Sequence, residues 1–185
     1  MATALLVIDV QMAFVARRDA GQAWANPAAD QAIATLLAAF RAENLPVIHV
    51  HHHGTDPRDD FHADAEGAVV QPCAEPTAGE PVFIKHGSSA FIGTDLGQYL
   101  TDQAISGLVI VGGAANYCVE STARMAGNLG YATTVVGDAL INFAQTLRDG
   151  RVMAAADVLA LTLANLDGEF AHVAVTNEIL TQIAA

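Results

Sequence analysis

Short apolar runs alternate with segments of helical spacing along the whole chain. Ala4 to Val10 (ALLVIDV) is an almost unbroken apolar run, the pattern of a strand buried on both faces of a parallel sheet. Asp9 interrupts it near its carboxyl end. Gln11 to Asn26 reads as a loop carrying Phe14, Arg17, Arg18 and Trp24. Asn26 is placed to cap a helix with Pro27 at its first position. Ile33, Leu36, Leu37 and Phe40 make that helix's apolar stripe, and Asn44 closes it. Pro46 to Val50 is the second strand. A histidine-rich polar stretch and a loop over 64–79 rich in Pro, Gly and Ala lead to a short third strand, Pro81 to Ile84. Gly93-Thr94-Asp95 opens a helix, with Thr94 as cap, that runs to about Ile105. Gly107 to Val111 is the fourth strand, and Gly130 ends the helix after it. Tyr131 to Val136 is the fifth strand, with Gly137 to Ala139 as the loop beyond. Asp149 and Gly150 precede a helix over roughly 151–166, Ala171 to Thr176 is the sixth strand, and Asn177 to Ile183 is a short last helix. This alternation predicts a single α/β domain over 1–185, with a parallel sheet, helices on both faces and right-handed crossovers.

Composition narrows the partners. Net charge is −12, which argues against nucleic acid and anionic membranes and suits a small neutral or cationic ligand. No apolar run is long enough to span a bilayer. The start, MATALLVIDVQ, has no basic region and runs straight into a strand, so a cytoplasmic location is expected. Cys73 lies in a proline-rich loop (QPCAEP) and reads as a bystander. Two cysteines make no disulfide framework.

The candidate chemistry gathers at strand ends. Leu108 to Leu129 reads LVIVGGAANYCVESTARMAGNL, an apolar strand, a small-residue turn and a helix, with Cys118 just past the turn. At the first turn of a helix, unpaired amide N–H groups and the helix dipole are expected to lower a thiol pKa and to receive an oxyanion. A free cysteine is as readily a small buried hydrophobe. Asp9 and Lys85 also stand at carboxyl ends of predicted strands, where an α/β sheet binds its ligands. Asp9 could equally cap a loop, and Lys85 could be a solvated strand end. Together the three make a coherent site, with Cys118 as nucleophile, Asp9 as proton carrier and Lys85 holding Asp9 ionised. Phe14, Trp24, His86, Phe91 and Tyr117 are candidate pocket walls. His49, His51 and His53 alternate, so an extended chain puts them on one face. With Asp56, Asp59, Asp60 and His62 near, zinc is conceivable, but exposed loop histidines are the plainer reading.

The blocks LLVIDVQMAF (5–14), KHGSSAFIGTDL (85–96), GGAANYCVESTARMAGNLGY (112–131) and VVGDA (135–139) resemble the isochorismatase-like cysteine hydrolases, the superfamily of nicotinamidases and N-carbamoylsarcosine amidohydrolases. LANLDGEFAHVAVT (163–176) is also similar. The resemblance implies a three-layer α/β/α sandwich around a six-stranded parallel sheet. It implies an Asp9–Lys85–Cys118 triad, a cis Gly113–Ala114 peptide and an oxyanion hole made by the amides of Ala114 and Cys118. It implies hydrolysis of a small amide or ureido C–N bond through a thioester, without a required cofactor, in a homodimer or homotetramer. The chain departs from the family at Ala115 and Asn116, where Thr and an acidic residue are frequent. It has HVHHHGTDP where nicotinamidases carry a D-W-H-P type metal motif, which weighs against zinc and nicotinamide. Isochorismate-type vinyl ether hydrolysis, with Asp9 as general acid and Cys118 dispensable, and a non-catalytic thiol sensor are the other functions this fold could host.

Overall fold

A computed structural model describes residues 2–184. Strand β1 (Ala2–Ile8) is buried from Ala4 onward. Because it lies inside the sheet, its alternate side chains feed two cores. Leu5 and Val7 pack on one side, and Ala4, Leu6 and Ile8 on the other. After it come α1 (Met12–Asp19), β2 (Trp24–Ala25), α2 (Ala29–Ala42), β3 (Val47–His52), β4 (Val82–Lys85) and α3 (Leu96–Asp102). Strand β5 (Ile105–Gly113) leads through one π-helical turn, Ala115–Val119, into α4 (Glu120–Asn128). The chain ends with β6 (Ala132–Phe143), β7 (Gln145–Thr146), β8 (Val152–Met153), α5 (Ala155–Leu166), β9 (His172–Ala174) and α6 (Thr176–Ile183).

The main sheet runs β6-β5-β1-β3-β4, and every one of these neighbours is parallel. The other edge of β6 pairs β9 in parallel through Thr134–Val136 and β2 antiparallel through Asn142 and Phe143. The six expected parallel strands are therefore present, but two-residue β2 makes the sheet seven-stranded and mixed. Helices α2 and α6 cover one face, where Ile33, Leu36, Leu37, Phe40 and Ile179 join the core. Helices α3, α4 and α5 cover the other. The chain reverses direction across the sheet between β1 and β5, which opens a crevice at their carboxyl ends.

Several local expectations give way. The 11–26 segment holds α1 and β2 rather than a continuous loop. Asn26 does not cap a helix. It sits at φ +55 and donates to the carbonyls of Gly137 and Leu140, and α2 begins at Ala29 without a side-chain cap. Helix α3 stops at Asp102, and Ala104 at φ +52 turns the chain into β5. Gly137–Ala139 stays in strand, with a register shift against β5 that lengthens β6 to Phe143. Asp149 and Gly150 form the turn of the β7–β8 hairpin, so α5 starts at Ala155.

Candidate active site

The order β4-β3-β1-β5 lines up four carboxyl ends, those carrying Lys85, His52, Asp9 and the turn to Cys118. Register completes the placement. His52 pairs with Lys85 across β3 and β4, and Ile8, the residue before Asp9, pairs with Gly112 across β1 and β5. Asp9 takes φ +50, a left-handed conformation that aspartate tolerates better than most side chains. Beside it the Gly112–Gly113 pair has a steric cause. Gly112 lies at φ +114, where an added Cβ would collide with the Ile8 carbonyl oxygen. A Cβ on Gly113 would come within 2.6 Å of the Phe14 ring. The Gly113–Ala114 peptide is cis.

Lys85 is wholly buried, and its Nζ is the hub of the cluster. It lies 2.7 Å from Asp9 Oδ2 and 3.2 Å from Cys118 Sγ, and it donates to the Gly87 carbonyl at 3.1 Å. It also meets His52 Nδ1 at 3.3 Å. An ammonium only donates, so Nδ1 accepts and the imidazole proton sits on Nε2. Burial, with the Lys85 charge added, drops the His52 pKa to about 4, which keeps that ring neutral.

Asp9 is buried, and its second oxygen, Oδ1, has no hydrogen-bond partner among the described residues. Burial pushes its carboxyl up to about 6, against the opposing pull of Lys85. The Cys118 thiol goes the same way. Burial first, and then the Asp9 charge, push it up to about 12, with Lys85 opposing. The lowered thiol pKa expected of a helix start is therefore not found. Cys118 is half-buried in a π-helical turn ahead of α4, and desolvation is the largest influence on it. The resting site holds a thiol beside an ionised pair.

A cavity of about 250 Å³ opens onto this cluster. Asp9, Cys118, Ala114, Phe14 and Tyr117 line it, as the sequence suggests. Trp24, His86 and Phe91 do not. Trp24 packs under the Arg18 guanidinium, exposed His86 bonds the His53 carbonyl at 2.7 Å, and Phe91 stacks on Tyr131. The wall also includes Arg17, His52, Asp59, Phe61 and Ser88, none of which the sequence reading placed there. Gln11, equally missed, is wholly buried and holds this wall in place. Its Nε2 donates to the carbonyls of His52 and Ala68, and its Oε1 accepts the His52 N–H at 2.8 Å. The signal was a glutamine two residues past Asp9, at the end of a buried strand.

The histidine run does not converge on a metal. His49 is wholly buried with Nε2 on Glu80 at 2.8 Å, His51 packs edge-on to it, and His52 Nδ1 is taken by Lys85. Among the described residues no group of three His, Cys, Asp or Glu side chains is placed to share an ion. Asp138 of the VVGDA block is also remote from the chemistry. Its Oδ1 accepts the N–H and hydroxyl of Thr176 and so fastens the start of α6.

The fold is thus an α/β sheet whose parallel strands bring a cysteine, an aspartate and a lysine together at a topological crevice. Residues 3–165 match the isochorismatase domain. The chain is 32% identical over 180 residues to the isochorismatase family protein YrdC of Bacillus subtilis (strain 168), covering 96% of this chain and 94% of that protein. It is 34% identical to the streptothricin hydrolase of Streptomyces noursei over 139 residues, 74% of this chain and 53% of the relative. The crystal structure of an isochorismatase-family hydrolase from Chromobacterium violaceum ATCC 12472 superposes with a TM-score of 0.93 at 38% identity, over 99% of this chain and 94% of that one. This chain belongs to the isochorismatase family of hydrolases.

Proposed function

We propose that this hydrolase cleaves a small amide or ureido C–N bond through a thioester on Cys118. The observation that carries the reading is Asp9 Oδ1, a buried oxygen without a partner on a residue that lines the cavity, while Oδ2 is held by Lys85. In the first half-reaction Asp9 takes the thiol proton as sulfur bonds to the carbonyl carbon. The C=O electrons move to oxygen, which the N–H groups of Ala114 and Cys118 receive. Collapse restores the C=O bond and breaks the C–N bond, and Asp9 returns the proton to the departing nitrogen. In the second, Asp9 takes a proton from water as its oxygen adds to the thioester. Collapse expels the sulfur, which regains that proton. One water is consumed, and a carboxylic or carbamic acid and an amine are produced. Every step uses a side chain or a backbone N–H, so the reading calls for no cofactor.

The elevated thiol pKa fits a proton transfer coupled to attack rather than a stored thiolate. It also weighs against a redox sensor, since oxidation follows thiolate character. The streptothricin hydrolase relative supports a hydrolytic reaction. The second reading, vinyl ether hydrolysis, draws on the same Asp9, because a carboxyl raised to about 6 can serve as a general acid. Ammonia release from a panel of carboxamides and ureides separates them. Cys118→Ala should lower amide turnover by at least about a thousandfold. Unchanged turnover in that variant, or vinyl ether cleavage alone, sinks the thioester route.

A further inference from the structure

The chain carries a strong negative charge, yet the cavity wall holds a cation that the catalytic cluster does not use. Arg17 lies on α1, three residues after Phe14, so the two side chains share a helix face. Its guanidinium rests over the rings of Phe14 and Phe61, 5.7 and 5.5 Å from their centroids. Both rings are buried, and both line the cavity with it. The nearest carboxylate, exposed Asp60, is 3.9 Å away, beyond hydrogen-bond length. The two rings meet edge-to-face at 71°, so they hold the guanidinium at the cavity wall from two sides, and among the described residues none of its N–H donors makes a hydrogen bond. Arg18, one residue on, shows the contrast. Its Nη1 is spent on Asp30 at 2.7 Å, away from the cavity.

Besides Arg17, the wall carries one carboxylate with no cation beside it among the described residues, Asp59. Asp9 and Lys85 neutralise each other, and His52 is uncharged. Asp59 is turned to the loop backbone, where its Oδ1 accepts the Phe61 N–H at 2.9 Å. Arg17 is thus the one wall cation, among the described residues, that no carboxylate holds within hydrogen-bond length, and a guanidinium fork matches a carboxylate.

We propose that Arg17 is a specificity-determining residue that binds a carboxylate on the substrate, so that the preferred substrates are small amides or ureides carrying an anionic group away from the scissile bond. This rests on the C–N hydrolase reading for the reacting end, but it concerns binding at the other end. It reverses the preference for neutral or cationic ligands that overall charge suggests.

The test is made on the Cys118→Ala background, which is expected to lose amide turnover, with two probe pairs. Each pair is matched in shape and differs in charge: succinamate against butyramide, and N-carbamoylglycine against propylurea. Calorimetry gives the affinities with Arg17 present and with Arg17→Gln or Arg17→Lys added. The expected result is that in at least one pair the anion binds roughly tenfold more tightly than its neutral match. Arg17→Gln should remove that preference, and Arg17→Lys should restore part of it. If neither anion outcompetes its match, or if the preference survives Arg17→Gln, the assignment is overturned. Wild-type protein that shows the anion preference but turns over none of the panel keeps the Arg17 site and overturns the C–N assignment instead.

Discussion

At the scale of single residues the site works by opposed charges in a dry place. Cys118 is kept protonated because burial and the Asp9 carboxylate both disfavour a thiolate. Lys85 alone favours one. Neutralising Asp9 therefore leaves the ammonium next to the sulfur without its counter-charge. Asp9→Asn should accelerate Cys118 alkylation by iodoacetamide at pH 7.5, by about tenfold for each unit the thiol pKa falls. Mass spectrometry distinguishes this from Cys73, whose own thiol burial pushes up to about 11. A slower or unchanged rate would mean that Asp9 does not control the thiol. The same variant should hydrolyse nothing, because the proton carrier is gone. Reactivity and turnover thus move in opposite directions, which a merely structural Asp9 would not produce. The second expectation concerns pH. Asp9 must be ionised to accept the thiol proton, and burial raises its pKa to about 6. The acid limb of kcat/KM should fall tenfold per pH unit below about 6. An acid limb near the ordinary aspartate value of about 4 would show that Asp9 is not the group being titrated.

At the scale of elements, close approach of backbones sets the geometry. The Gly112–Gly113 pair lets β5 pass beside Ile8 and under Phe14. Gly112→Ala adds a Cβ against the Ile8 carbonyl at a φ that alanine avoids, so a loss of roughly 2–4 kcal/mol is expected from urea denaturation. A loss under about half a kcal/mol would mean that the turn relaxes freely, and with it the placement of Ala114 and Cys118. This element explains what could be read in advance. Apolar runs such as ALLVIDV and LVIVGG are determined by burial on both faces, so the strands, and the meeting of Asp9, Lys85 and Cys118 beyond their ends, were legible. Helix α1 was not, because only Ala13 and Phe14 of it are buried and no apolar stripe repeats. With α1 unseen, the shared face of Phe14 and Arg17 was invisible. His52 was hidden by parity. Alternation drew attention to His49, His51 and His53, whereas the ring that meets Lys85 is on the other face, and its role depends on the β3–β4 register. Trp24 and Phe91 failed as pocket walls for the converse reason. Phe91 lies in a loop and Trp24 in a two-residue strand, and neither has a period to say which way it faces.

Across the whole molecule, acid stability reflects the same buried chemistry and can be separated from catalysis by sign. His49, His51 and His52 all have pKa values depressed chiefly by burial, His51 and His52 to about 4. Between there and about 6.5 the unfolded chain binds protons that the folded chain refuses, so stability falls as pH drops below 6.5. Asp9 runs the other way. Its folded pKa of about 6 exceeds the unfolded 3.8, so in that window the folded state holds a proton that the unfolded state has released, and acidification favours folding. Glu80 enters later. Burial raises its pKa, but bonds from Arg41, Thr77 and His49 outweigh this and hold it well below the usual range. The stability it confers by tying α2, β3 and the start of β4 is lost only below about 4.5. Depressed histidines outnumber the one raised aspartate, so a net fall in Tm between pH 7 and 4.5 is expected. His51 offers the cleanest check, because its buried Nε2 has no partner among the described residues and its ring packs edge-on to His49. His51→Phe keeps a ring of similar shape and removes the proton site. Its Tm should fall less steeply than that of wild type between pH 6.5 and 4.5, while the acid limb of turnover stays near 6. Parallel Tm curves would remove His51 from the acid response. A turnover limb that moved with the Tm curve would show that unfolding, rather than Asp9, ends activity in acid.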